Sequence, residues 1–408
     1  MSGRAAIGAA GRGPGALVPA LALAALAGCG GQSTTGPSLA SPGSVNNVLP
    51  VQVTSGPADN TVNGLYASVT ICVPGTSSCQ TIDGVQVDTG SIGLRLLSSQ
   101  VSLALPPVDD ANGHPIANCA SYADQSYTWG PVVTADVQLA GEKASAVPIQ
   151  LIGAASFAGA PSACSNGGTA ADTVSSLSAR GLLGLGVFRQ DCGSACSVGA
   201  SPPPVYFACS GFTCAPTTAP LASQLQNPVW LFPQDNNGLL VTLPSVPSGG
   251  APTASGSVVF GIGTQANNAL GSARVYLTDD QGNFSTTFDG KSYPGSYLDT
   301  GSNGVYFLDS STIGLPACPG QDDGFACPSS TVSYTATNTG TNGTSGPVSF
   351  SVANAEALFR TGNSALGTLG GPDTGAFDWG LPFFFGRTTF IAIEGQGTAA
   401  GPGPYLAY

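Results

Sequence analysis

The sequence repeats one short run of reactive and supporting residues. Asp88-Thr89-Gly90-Ser91-Ile92-Gly93-Leu94 returns as Asp299-Thr300-Gly301-Ser302-Asn303-Gly304-Val305, an offset of 299 − 88 = 211 residues. Two Asp residues brought side by side by matching loops cannot both ionise cheaply, so they share one proton. The ionised partner can take a proton from a trapped water, while the protonated partner donates to a carbonyl oxygen as that water attacks. Gly90 and Gly301 let the backbone turn tightly and approach the pair. Ser91 and Ser302 can donate to the outer carboxylate oxygens, and Thr89 and Thr300 can tie the loops together through buried hydroxyls. One Asp-Thr-Gly-Ser alone would read as an ordinary Asp-initiated turn. Two copies in matching surroundings point to Asp88 and Asp299 as paired catalytic carboxylates.

Other chemistries lack their residues. The one His, His114, lies in Asn112-Gly113-His114-Pro115 and reads as a surface turn, so a nucleophile with a His base is not expected. Metal-ligand spacings such as C-x-x-C are absent, and no metal or cofactor is expected. The formal net charge is −12, from 22 acidic against 10 basic residues. That leaves no positive footprint for nucleic acid.

The elements that must hold the two loops are strands. Charged residues are only 8% of the 408, with 58 Gly and 32 Pro, and Val, Thr, Ser, Gly and Pro alternate in short runs. This is the pattern of many short strands joined by tight turns. Apolar runs flank each motif: Val85 and Val87 before the first and Leu94 to Leu97 after it, then Tyr297 and Leu298 before the second and Val305 to Leu308 after it. Each motif therefore sits on a turn between buried strands. A repeat of this length is the scale of two related domains, not of a solenoid. Short helices are expected over 219–226 and 352–359.

The first residues read as a secretory signal, with Arg4 and Arg12, an apolar stretch from Ala16 to Ala27, and small residues at the cut. Leu26-Ala27-Gly28-Cys29 resembles a bacterial lipobox, which implies cleavage before Cys29 and lipidation of that residue. Gly30 at the next position implies sorting to the outer membrane, facing the periplasm. A Ser-, Thr-, Gly- and Pro-rich tether is expected to follow, to about residue 60. Eleven Cys less Cys29 leave ten. In an exported chain these read as disulfides. Proximity suggests Cys72 with Cys79, Cys192 with Cys196, Cys209 with Cys214, and Cys318 with Cys327; Cys119 and Cys164 remain and can pair.

With both motifs in hand, the chain resembles the pepsin family of aspartic proteases, over nearly all of its mature length. Tyr122-Ala123-Asp124-Gln125-Ser126-Tyr127-Thr128-Trp129-Gly130 resembles the family's flap, which makes Tyr122 the flap tyrosine. Gly181-Leu182-Leu183-Gly184-Leu185-Gly186 resembles the apolar strand that threads behind the first Asp loop, and Trp379-Gly380-Leu381 belongs to its second copy. Gly256 to Gly261 resembles the strand joining the lobes, and Pro404 to Tyr408 the closing strand. Five positions depart from the pattern: Arg95 stands where the family has Trp, Ala123 and Gln125 where the flap has Gly, Arg180 before Gly181 where the family often has Asp, and Asp378 in the second apolar strand. A nearby Arg is expected to lower the pKa values of the pair.

The resemblance implies an all-β, bilobed pepsin-like fold, two related antiparallel barrel lobes about a central cleft. The expected division is a signal peptide over 1–28, lipidated Cys29 and tether over 29–60, a first lobe over 61–265 and a second over 266–408. It implies an envelope-anchored, monomeric aspartic endopeptidase acting on peptide or protein substrates. The alternative is a catalytically silent protein of the same fold that binds a peptide or glycan.

Overall fold

The computed structural model describes residues 47–408 except 158, 200 and 212. The expected signal peptide, Cys29 and the expected tether up to residue 46 lie outside the described residues. The described chain is all-β, and its longest helix is the five-residue Ala355–Phe359, capped by the Asn354 side chain. The helix expected over 219–226 is only a 3-10 turn, Leu221–Ser223, which starts directly after Pro220.

Six strands of the first half close into a barrel. Gly64–Cys72 pairs with Cys79–Asp88, which runs parallel to Gly181–Leu185; the ring continues through Ile92–Leu97, Glu142–Ile152 and Ser126–Leu139. Ser126–Leu139 then pairs back onto Gly64–Cys72 through Asp136, Val137 and Gln138 and closes it. Closure removes free sheet edges. Val69, Ile71, Val85, Val87, Leu94, Leu96, Val137 and Ile149 fill the core with essentially no exposure.

The second half is a seven-stranded sheet whose centre repeats the first. Lys291–Leu298 runs parallel to Phe377–Trp379, and Phe377–Trp379 pairs antiparallel with Val305–Phe307. In the first half Cys79–Asp88, Gly181–Leu185 and Ile92–Leu97 stand in the same relation. In both, the strand leading into the Asp loop and the strand leading out flank one apolar strand from far along the chain. Asp88 lies beside Gly184 in that ladder, and a Cβ on Gly184 would stand 2.6 Å from the Ile92 backbone. Only Gly lets the loop lie this close.

A third set of strands joins the halves. Val48–Thr54, Ala254–Phe260, Gly238–Thr242, Thr388–Ala392, Tyr405–Ala407 and Val275–Leu277 pair antiparallel in that order, so this sheet crosses residue 265. Its first member corrects the expected tether, because residues 48–54 are a strand rather than flexible linker. Leu49, Val51 and Val53 alternate inward and are buried. Each contributes on the order of 1.5–3 kcal/mol of burial. Pro50 had marked the run as a linker. It lies where the strand pairs on one side only, so its missing N–H breaks no second ladder.

All five disulfides join the Cys pairs named from the sequence. Cys119–Cys164 spans 45 residues and Cys192–Cys196 only 4. Chain entropy assigns about 4 kcal/mol to the first loop and about 2 to the second. Replacing Cys119 and Cys164 with Ala should therefore lower the unfolding free energy by more than the same change at Cys192 and Cys196, as read from urea midpoints. An equal loss would refute the ordering.

Candidate active site

The two Asp loops meet between the halves and grip each other reciprocally. The Thr89 amide donates to Thr300 Oγ1 at 3.1 Å, and the Thr300 amide donates to Thr89 Oγ1 at 3.0 Å. Thr300 Oγ1 then donates across to the Val87 carbonyl at 2.8 Å, and Thr89 Oγ1 to that of Leu298 at 3.4 Å. Each hydroxyl thus serves as acceptor and donor between the two loops.

Within the grip the carboxyls are held alike. The Gly90 amide donates to Asp88 Oδ1 at 2.8 Å and the Gly301 amide to Asp299 Oδ1 at 2.7 Å. The outer oxygens take the serines: Ser91 donates to Asp88 Oδ2, and Ser302 to Asp299 Oδ2 at 2.8 Å. Asp88 and Asp299 share a hydrogen bond and have no exposed surface. A Cβ on Gly301 would fall 2.7 Å from Asp88 Oδ1 and 3.0 Å from Asp299 Oδ1. That position is open only to Gly.

Tyr122 sits at the tip of the hairpin formed by Ile116–Ser121 and Ser126–Leu139. The tip closes with the Gln125 amide on the Tyr122 carbonyl at 3.0 Å. Gln125 has φ of 66°, a left-handed conformation that favours Gly. Tyr122 is buried among Tyr66, Leu97, Ala120, Ile152, Leu177 and Leu182. Its hydroxyl lies 3.2 Å from Thr128 Oγ1, which donates to Gln150 Oε1 at 3.1 Å.

Arg95 overturns its expectation. The residue is 3% exposed, and its guanidinium donates to the Ile92 carbonyl at 2.6 Å and pairs with Asp191 at 3.2 Å. Its charge is thereby answered by Asp191, not by the Asp pair. Asp299 is not lowered: burial, then the charges of Asp88 and Asp378, hold its carboxyl well above the ordinary range. His114 lies on a surface turn beside Asp110, as expected.

Three further features complete the site; Asp378 is one of the departures named from the sequence, and the other two were missed. Asp378, 2% exposed, puts Oδ2 within 2.5 Å of Ser302 Oγ and so adds a third carboxyl to the cluster. The Gln86 side chain donates to the Gly301 carbonyl at 3.1 Å. Asn63 straps the first half to the second: its Nδ2 donates to the carbonyls of Asn303 at 2.7 Å and Leu366 at 2.9 Å, and its Oδ1 accepts from the Leu366 amide at 2.7 Å. Beside the strap, Val62 enters an apolar cluster with Phe325, Leu358, Leu366 and Leu369. The cavity between strap, Gln86 and Gly301 is only about 10 Å³. That is space for about one water. Leu182 is the apolar counterpart of Asp378 in the first copy, which is why Asp378 stands out in the sequence; nothing in the sequence marks Asn63.

The raised Asp299 carboxyl has a consequence for stability. Its ordinary pKa is 3.8. With the folded value above the unfolded one, the fold holds a proton that the unfolded chain has released. Stability is then fully present below about pH 4 and falls as pH rises from there toward the folded value. Relative to the wild type, Asp299→Asn should gain stability in urea unfolding as pH rises from about 4 toward the folded value. A difference independent of pH would contradict this.

Comparison with known proteins follows the geometry. No curated protein matches the chain. The crystal structure of an aspartic proteinase from Irpex lacteus is similar, at 14% identity and a TM-score of 0.48, over 88% of this chain and 96% of that one. Residues 43–408 match a family described as "Protein of unknown function (DUF3443)". With nearly all of the described chain inside that match, the protein belongs to this family of unknown function, DUF3443.

Proposed function

We propose that the chain is an aspartic-type endopeptidase whose nucleophile is a water activated by Asp88 and Asp299. The observation that carries this reading is the paired geometry: two buried carboxyls share a hydrogen bond, each with a loop amide on its inner oxygen and a Ser on its outer one. Such a pair holds one proton. Its ionised member removes a proton from water as the oxygen adds to the peptide carbonyl carbon. Its protonated member hydrogen-bonds the carbonyl oxygen, then delivers the proton as a tetrahedral diol forms. Collapse of the diol breaks the C–N bond: one diol hydroxyl gives its proton to the ionised carboxylate as the C=O reforms, the protonated carboxyl gives its own to the leaving amine, and the pair again holds one proton. No covalent enzyme intermediate and no metal enters these steps.

Because both carboxyls have no exposed surface, a peptide reaches them only after the residues that cover them move. Cleavage of a mixed peptide library should appear in the mildly acidic range, be blocked by a statine-type transition-state analogue, and be abolished in Asp88→Asn and in Asp299→Asn. Cleavage that persists in either variant would refute the assignment. The complete cover favours a second reading, a silent protein of the same fold that binds a peptide or glycan. Its mark would be ligand binding without turnover, unchanged in both variants.

We also propose that the protein is a monomer held through lipid on Cys29 at the outer membrane, facing the periplasm. The support is the Leu26-Ala27-Gly28-Cys29 run with Gly30 after it. Cys29→Ala should end incorporation of labelled palmitate and release the protein from membrane fractions; a labelled, membrane-bound variant would refute the anchor.

A further inference from the structure

The second Asp loop holds a carboxyl more than the first. Ser91 touches one carboxylate, Asp88, whereas Ser302 Oγ lies 2.8 Å from Asp299 Oδ2 and 2.5 Å from Asp378 Oδ2. A hydroxyl has one proton to donate. Ser302 can give it to Asp299 or to Asp378, and the contact it does not serve holds only if that carboxyl is itself protonated and donates to Oγ. Two ionised carboxylates on one hydroxyl would leave one oxygen facing another with no proton between them, in a place without solvent.

Asp378 is suited to hold such a proton. It lies in Phe377–Trp379, the apolar strand between the two strands of the second loop, and its Oδ1 has no hydrogen-bond partner among the described residues. An orphan oxygen is much less costly on a neutral acid than on a carboxylate. The titratable groups that reach Asp378 are Asp299 through Ser302, Asp88 and Asp373 by charge, Tyr297 by hydrogen bond, and Tyr306. No cation is among them. Burial is the largest cause holding the Asp378 carboxyl well above its ordinary range, and Asp373 and Asp88 push the same way.

We propose that Asp378 is a positioning residue that sets, through Ser302, the protonation of Asp299. As a neutral acid Asp378 donates to Ser302, and Ser302 is thereby aimed at Asp299, whose carboxylate form it stabilises. When Asp378 ionises, Ser302 turns toward it. Asp299 then loses a donor and gains a neighbouring negative charge, and both changes hold the proton on Asp299. The dyad therefore keeps its single proton to a higher pH than an isolated pair of this kind, and the alkaline limit of turnover rises with it. This consequence for turnover rests on the peptidase reading; the coupling among the three carboxyls does not.

The test is a carboxyl titration that needs no turnover. In protein carrying ¹³C-carboxyl aspartate, the Asp299 resonance is assigned by its absence from Asp299→Asn. In Asp378→Asn the amide donates to Ser302 permanently and carries no charge, so the Asp299 midpoint should fall by about one pH unit. Ser302→Ala supplies an independent reading should Asp378→Asn not fold. In the wild type Ser302 serves Asp378 once that group is ionised, so its removal should leave the Asp299 midpoint nearly unmoved. In Asp378→Asn the same removal should raise it. A midpoint unchanged in Asp378→Asn, or a Ser302→Ala shift that is the same in both backgrounds, would overturn the relay, whatever the protein cleaves. A midpoint that moves as stated in a protein that cleaves no peptide would leave the relay standing and remove the peptidase reading instead.

Discussion

Two carboxyl groups pressed together without solvent repel each other and lose their hydration, and the architecture around Asp88 and Asp299 answers both costs. Each has a backbone amide on the inner oxygen and a Ser on the outer one, so four donors replace water. The reciprocal threonines stop the loops from separating under that repulsion, since parting would strand Thr89 and Thr300 hydroxyls with no solvent to receive them. The long-range strands behind the loops fix the direction from which the carboxyls approach. Gly184 and Gly301 mark where that approach is closest.

The two halves share this plan and then diverge. The first closes into a barrel and carries the Tyr122 hairpin; the second stays a sheet packed with aromatic rings, among them Phe307, Phe350, Phe377 and Trp379. Polar groups divide the same way. Behind the first loop Arg95, Asp191, Tyr206 and Asn118 form a network in which charge is paired with charge. Behind the second lies Asp378, with carboxyls and phenols around it. The two matching loops thus give their carboxyls unequal surroundings.

Much of this was legible in the chain. The doubled Asp-Thr-Gly-Ser, its flanking apolar runs and the near pairs of Cys are local patterns, and local patterns carry directly into turns, strands and disulfides. What was not legible depends on residues far apart. Val48–Thr54 reads as linker because Pro50 and its polar neighbours hide a period-two pattern whose partners, Ala254–Phe260, lie two hundred residues on. Arg95 reads as a cation beside the pair until Asp191, 96 residues away, is found to answer it. Asn63 acts through backbone groups of Asn303 and Leu366, which no side-chain pattern can announce.

The strand Val48–Thr54 also decides how the molecule meets force. It is hydrogen-bonded to Ala254–Phe260 from Val48 to Val53, and to Gly64–Cys72 from Gln52 to Thr54. Ladder bonds lie across the strand axis. A lengthwise pull from the N-terminal side therefore loads them side by side, in shear, instead of opening them one after another like a zipper. The load enters the sheet that joins the halves and the first barrel strand together, and the ladder of the first strand must part as a unit before a pull along the chain reaches the loop that carries Asp88.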